Sequence, residues 1–275
     1  MREVMIDVTS HNSITLAHNT LTTLNVTVSD TMNLTLLVPM QTKGSVLLNL
    51  DGNGELNLRV EVDRDSTWSM LFNNDSKESI KVIENWGIKQ NSSVSLAIGE
   101  LTAGNHEKAA TYHLLEEGAS IFVRGASLIQ STLKATHTAI HHKGKTSAQL
   151  DNYSIVLKGC EYLLEVVGKI EKAAKGAKTH QISRVMNFDE KPKTTVNPKL
   201  IIDENEVEAS HAASMGQPDI NQVYYLQSRG MSRSESLKLI TLGYLLPIID
   251  VIDDESIKER LSEEILKKVS ESCLM

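Results

Sequence analysis

The sequence predicts a mainly β protein, a stacked β-solenoid that ends in a small α-helical subdomain. Three observations predict it. Apolar residues recur at every second position from about residue 20 to 210. No amphipathic helix of two or more turns interrupts that region, which excludes the crossover helices of a βαβ architecture. After Gly216 the period changes to that of a helix, and capping residues stand where helices should start.

The strand signals come in order along the chain. Leu24, Val26 and Val28 alternate with polar residues, as do Leu34, Leu36 and Val38, then Val46, Leu48 and Leu50, then Leu56, Leu58, Val60 and Val62. Shorter runs follow at Trp68–Met70–Phe72, Ile80–Val82, Val94–Leu96–Ile98, Ile121–Val123, Ala135–His137–Ala139 and Ile155–Leu157. Each reads as a half-buried strand. Polar or glycine-bearing corners separate them, such as DGNGE, NNDSKES and EEGAS.

A sandwich or a barrel would share this periodicity. The solenoid is favoured because the strands are numerous and short, and because tight two-residue hairpin dipeptides are nearly absent. Aromatic residues make up only 4% of the chain, so the core must be packed from Leu, Ile, Val and Ala. Rungs that bury their inward positions on one another need nothing larger. The repeat is too degenerate to write as a motif.

Past Gly216, Asp219 and Gln222 have the spacing of a helix cap and its returning side chain. Val223, Leu226 and Tyr225 supply an apolar stripe, and Gly230 closes the helix. Ser232 and Glu235 open a second helix carrying Leu237, Ile240, Leu245 and Leu246, and Pro247 breaks it. In a third segment Ile257, Leu261, Ile265 and Val269 share one face, with acids first and lysines late. The expected division is a β body over 1–217 and a helical subdomain over 218–275.

Composition narrows the function. A net charge of −7 and no basic patch argue against nucleic acid as a partner. No apolar run is long enough to span a membrane, and MREVMIDVTSHNS reads as neither a signal nor a transit peptide. Two cysteines, Cys160 and Cys273, are too few for a disulfide framework, and the expected compartment is cytoplasmic. The terminal SCLM misses a prenylation box, because Cys273 is third from the end.

Motifs for chemistry are sparse. There is no GxxxxGK[ST], no GxGxxG and no GxSxG, which excludes a P-loop ATPase and gives no hydrolase elbow. Paired carboxylates on a solenoid face would suit a polysaccharide-cleaving enzyme, but the acids lie mostly in corners and in the last helix. In LKATHTAIHHKG, His137 and His141 fall on the same side of a strand and could share a metal; a solvated strand edge is the plainer reading. Cys160 is expected to point into a rung as a small hydrophobe, and Cys273 is a tail thiol with no partner in view. His211, in EVEASHAASMG, reads on pattern alone as a satisfied polar residue more often than as a ligand.

The stretch Pro198–Gly230, PKLIIDENEVEASHAASMGQPDINQVYYLQSRG, changes that weighting. It resembles the signature of the SufB/SufD family, scaffold subunits of the SUF iron–sulfur cluster assembly machinery. The pattern V-x-x-S-H-G-A-x-x-G followed by Q-x-x-Y-L-x-S-R-G is met by Val207, Ser210, His211, Ala213 and Gly216. It continues through Gln222, Tyr225, Leu226, Ser228, Arg229 and Gly230. The resemblance is specific over about 160–250 and diffuse before it.

The resemblance implies a right-handed parallel β-helix with a helical end and no catalytic role. It implies a heterodimer with a SufB-type paralogue through the β-helices, or a homodimer, and docking of a SufC-type ABC ATPase on the helical end. A transient iron–sulfur cluster would form at the subunit interface, where a B-type cysteine is paired with the D-type histidine. The cysteine position falls here at Pro192 and the histidine at His211, so the chain reads as D-like. Ala212 replaces the usual glycine, and Ala209 stands where D-type members can carry a cysteine. Tyr225, Arg229 and Gly230, with the helix after Ser232, would form the ATPase-docking face. An interior thiol at Cys160 would be placed to join a sulfur relay in such a machine. Full-length members usually carry an extra N-terminal helical region, and this chain reads as a short member without it.

Overall fold

A computed structural model describes residues 2–251 and 255–272. Seventeen strands stack into two parallel sheets, because each turn of the chain lays one strand on each sheet. One sheet holds β1 (Arg2–Val8), β3 (Thr20–Val28), β5 (Lys43–Gly52), β7 (Thr67–Asn74), β9 (Ser93–Glu100), β11 (Ser120–Ile129), β13 (Ser147–Val156), β15 (Lys178–Asn187) and β17 (Glu208–Gly216). The other holds β2 (Asn12–Thr15), β4 (Thr31–Val38), β6 (Gly54–Val62), β8 (Ile80–Ile88), β10 (His106–Leu114), β12 (Thr132–His141), β14 (Glu161–Ile170) and β16 (Lys193–Ile202). Helices α1 (Ile220–Ser228), α2 (Arg233–Leu245) and α3 (Glu255–Glu271) follow, with a 3-10 segment at Leu246–Val251. The expected solenoid with a helical end is the observed architecture.

Alternation puts every second side chain inside the solenoid, and in-register parallel pairing stacks those side chains in columns. Val46, Met70, Leu96, Val123 and Leu150 form one such column, and all five are buried. Fully burying one such side chain contributes about 1.5–3 kcal/mol, so the long aliphatic columns drive stacking.

Rung corners explain why no repeat was legible. Asn19, Gln41, Asp65, Asn91, Gly118 and Lys145 each precede an odd-numbered strand and each has a positive φ. Thr20, Thr42, Ser66, Ser92, Ala119 and Thr146 follow them. Most of these small residues turn a hydroxyl back onto a corner carbonyl, as Thr42 Oγ1 does to Pro39 O at 2.6 Å and Thr146 Oγ1 to Lys143 O at 2.9 Å. The repeat is one of backbone conformation that several residue types satisfy. At the opposite corner the requirement is stricter. Gly54 has φ +111°, and a Cβ there would sit 2.1 Å from Asp30 O, so only glycine fits.

The helices do not stand apart from the solenoid. Val223, Leu237, Leu245, Ile248, Ile257, Leu261, Ile265 and Val269 pack on the outer face of the nine-stranded sheet. There they cover Leu47, Leu71, Ala97, Leu128, Ile155 and Leu157. This corrects one register. Ile155 and Leu157 alternate as expected but belong to the helix-covered face, whereas Val156 points inward. Asp219 caps α1 by accepting from Asn221 N at 2.9 Å. Ser232 and Glu235 form the full reciprocal box of α2. α2 stops at Leu245, just before Pro247 as expected, and the chain continues as the 3-10 segment that contains the proline. No helix of the described residues is long and apolar enough to cross a membrane.

His137 and His141 also depart from expectation, because both lie inside the solenoid and not on a solvated edge. His137 Nδ1 meets Tyr112 OH of the neighbouring rung at 3.1 Å, and His141 Nδ1 meets Thr146 Oγ1 of its own corner at 2.7 Å, so each ring is held by a buried hydroxyl. Burial pushes His137 down to about 3 and His141 down to about 4. The unfolded imidazoles, near 6.5, take up protons that the folded ones refuse. Their stability contribution is therefore complete above the unfolded value and is lost as pH falls through 6.5 towards 4 and 3. Each is expected to have lost about 2 kcal/mol at about pH 5. Urea midpoints for His137→Gln should show a shallower acid slope than wild type by about that amount; an unchanged slope contradicts the buried neutral imidazole.

Candidate functional site

The solenoid ends on β16 and β17, the edge strands of the two sheets. They lie together at the same end, and each pairs with one neighbour only, β14 and β15 respectively. Almost every residue of β17 is exposed, and β16 is nowhere fully buried. Ile201, Ile202 and Met215 are large apolar side chains exposed there. Two long open edges thus lie beside exposed apolar residues, and open edges of this kind can pair with another strand.

His211 lies at the middle of β17, in register with Gln181 of β15. That position continues the inward column of Val46, Met70, Leu96, Val123 and Leu150, so His211 is on the interior side of the last rung. It is exposed because no further rung covers it. Its neighbour Ser210 faces the other way and accepts or donates to His180 Nδ1 at 2.8 Å. Ala209 and Ala212 flank the histidine with methyl groups only.

Beneath His211 the interior turns polar. Thr179, Gln181 and Ser183 are three successive inward residues of β15, ahead of inward Val185, and all three are fully buried. Gln181 Nε2 crosses to Lys199 O at 3.1 Å, under the shelter of Gly168, where a Cβ would sit 2.7 Å from Thr179 Oγ1. Among the described residues, Thr179 Oγ1, Gln181 Oε1, Ser183 Oγ and Asn152 Nδ2 have no hydrogen-bond partner.

The sequence reading missed a second buried polar cluster. Lys108, Glu84, Glu100, His106 and Asn74 face one another inside the solenoid. Lys108 Nζ pairs with Glu84 Oε1 and lies 3.6 Å from the centre of the Phe72 ring. Trp86 Nε1 donates to Glu84 Oε2 at 2.8 Å, and Glu100 Oε2 meets both His106 Nδ1 at 3.0 Å and Asn74 Nδ2 at 2.8 Å. The signal was present: Glu84 and Lys108 occupy inward-phase positions of IKVIENWGI and HEKAATYHL.

Other expected residues fall as follows. Pro192 is exposed just before β16, so no thiolate stands there. Cys160 sits half-buried at the corner before β14, packed as a small hydrophobe against both the interior core and the helix-covered cluster, and its thiol reaches Lys158 O at 3.8 Å. Burial, and secondarily Asp189, pushes that thiol up, which favours its protonated form. Cys273 lies outside the described residues.

On α1, Tyr225 is exposed and the Arg229 guanidinium lies over its ring at 5.3 Å. Gly230 adopts φ +94° and its N–H donates to Gln227 O at 3.0 Å, so its place is to end the helix. A shallow depression of about 400 Å³ is lined by Asn221, Gln222, Tyr225, Leu226 and Ile240.

Comparison with known proteins bears on all of these elements. The family described as SUF system FeS cluster assembly, SufBD core domain, matches residues 50–244. The chain is 38% identical over 133 residues to the iron-sulfur cluster assembly protein SufD of Bacillus subtilis, covering 48% of this chain and 30% of that protein. It is 32% identical over 92 residues to an iron-sulfur cluster assembly SufBD family protein of Pyrococcus horikoshii, covering 34% and 21%. A SufBD family protein of Staphylococcus aureus is 23% identical over 195 residues, covering 65% and 41%. The chain thus matches less than half the length of each of these relatives. The family match runs from the fifth strand through the terminal rung into the second helix, and this chain belongs to the SufBD core family of the SUF iron–sulfur cluster assembly system, on its SufD-like side.

Proposed function

We propose that this chain is a non-catalytic, cytoplasmic scaffold subunit on whose terminal rung a nascent iron–sulfur cluster is assembled as cargo. In this reading β16 and β17 pair with a SufB-type paralogue, or with a second copy of the chain, and His211 lends an imidazole to the shared cluster. The observation that carries it is the placement of His211: inward-phased yet exposed, on an edge strand with no further rung above it. Among the described residues no three His, Cys, Asp or Glu side chains are grouped to hold a metal. In this reading a partner brings the thiolates. Open, mixed ligation suits a site that has to release its product, since a closed four-cysteine set would retain it.

The same reading gives the helical end, residues 218–275, to a SufC-type ABC ATPase. Tyr224 and Tyr225 are exposed, and Arg229 braces the second ring; aromatic and Arg side chains of this kind anchor interfaces. Removing the whole helical end is a poor test, because it would strip the cover from Leu47, Leu71 and Ile155. Point variants avoid this. Tyr225→Ala with Arg229→Glu, co-expressed anaerobically with a SufB-type and a SufC-type partner, should reduce recovery of the ATPase at least about tenfold. Thermal stability should be unchanged, since both side chains are exposed. Full recovery of the ATPase would remove this face from the proposal. Iron and sulfide in the same preparations report on the cluster itself.

The polysaccharide reading gains no support from the carboxylates. Glu55, Glu165 and Glu208 each pair with a lysine on the neighbouring rung, Lys81, Lys199 and Lys178 respectively.

A further inference from the structure

We propose that His113 and His142 form a surface site for a divalent first-row transition-metal ion, with Glu171 as the carboxylate that orients His142. The inference is independent of the cluster reading. It starts from the one histidine of LKATHTAIHHKG that the solenoid leaves outside. His137 and His141 point inward, and His142 begins the corner after β12. His142 N bonds to Leu114 O at 3.1 Å, which sets it beside the end of β10 on the neighbouring rung. His113 alternates with inward Tyr112 and Leu114, so it faces out to meet His142.

The two rings bring one nitrogen of each together. His113 Nδ1 and His142 Nε2 are 2.9 Å apart, and the rings lie within 15° of parallel with centres 5.2 Å apart. His142 Nδ1 is 2.9 Å from Glu171 Oε2, whose other oxygen is held by Lys169 Nζ at 3.0 Å. A carboxylate only accepts, so His142 carries its proton on Nδ1 and offers the Nε2 lone pair towards His113. A carboxylate behind an imidazole is the recurrent support of a metal-bound histidine, because it fixes both tautomer and orientation.

The spacing also selects among metals. With metal–nitrogen bonds of about 2.0–2.1 Å, nitrogens this far apart subtend about 90° at the ion. That is a cis pair of an octahedral or tetragonal site and is too narrow for a tetrahedral one, which favours Cu²⁺ or Ni²⁺ over Zn²⁺. In the metal-free pair His113 donates from Nδ1. Metal binding moves that proton to its Nε2, a change of tautomer with no net proton release. Both rings are half-buried on the outer surface, so water can complete the coordination shell.

Cu²⁺ titrated into the purified chain, followed by calorimetry and electron paramagnetic resonance, tests this. The expected result is one principal site whose spectrum shows two equatorial nitrogens. His113→Ala and His142→Ala should each weaken binding at least about tenfold, and Glu171→Ala by about tenfold. His211→Ala should leave the site intact, which separates this inference from the cluster reading. Should an alanine variant misfold, His142→Gln supplies the same comparison with a hydrogen-bonding side chain retained. Persistence of the affinity and the two-nitrogen spectrum in the His113→Ala/His142→Ala double variant would overturn the proposal, as would failure of the wild type to bind copper.

Discussion

Lys108→Met is expected to destabilise the fold by about 3–5 kcal/mol, the usual cost of leaving a buried charge without its partner. Lys108 is the cation between two buried carboxylates, Glu84 and Glu100. Removing it leaves two like charges inside the solenoid, with Trp86, His106 and Asn74 still bonded to them. The companion variant makes the claim specific. Adding Glu84→Gln should recover part of the loss, because Gln keeps an acceptor for Trp86 Nε1 while removing one charge. Replacing both members of a buried pair is commonly near neutral, whereas removing one is not. Urea unfolding of the four proteins of the cycle measures this. A loss below about 1 kcal/mol for Lys108→Met would mean that the cluster is hydrated and the interior is not as dry as its burial indicates.

The second large effect is functional. His211→Ala should lower iron and sulfide in the anaerobically assembled complex at least about tenfold, the scale expected when a ligand of a labile site is lost. The variant should fold as wild type does, because His211 is exposed on an edge strand and no protein hydrogen bond to it is required by the rung below. Ser210→Ala is the matched control: it removes the adjacent outward-facing side chain and its bond to His180, and should leave cluster yield unchanged. Equal losses in both variants would point to damage of the β17 edge and not to a ligand.

Much of the architecture was legible because the inward columns are aliphatic where they were read. Leu24, Leu48 and Phe72 announce their phase without ambiguity. β10 and β15 were silent for the opposite reason. Their inward positions carry His106 and Lys108, and Thr179, Gln181 and Ser183, so the alternation of burial persists while the alternation of polarity vanishes. Ile155 and Leu157 show the converse, apolar residues on the outer face because helices cover it. Helix starts were readable from Asp219 and Ser232, since capping is local chemistry.

The candidate site was legible in part. His211 came from a motif, and its inward phase follows from the register with Gln181. The open end around it did not, because edge exposure depends on where stacking stops. The His113–His142 contact was also out of reach. The two residues are brought together by one turn of the solenoid, and rung length is set by corners whose shared property is a positive φ rather than a residue type.

In the proposed reading His211 ligates the nascent cluster across the terminal rung. Its most direct test is pulsed electron paramagnetic resonance on the reduced, partner-bound complex, with ¹⁵N-histidine placed in this chain alone. The account expects a strongly coupled nitrogen that changes with the isotope and disappears in His211→Ala. A cluster with no such nitrogen, or with a coupling that survives His211→Ala, would contradict it.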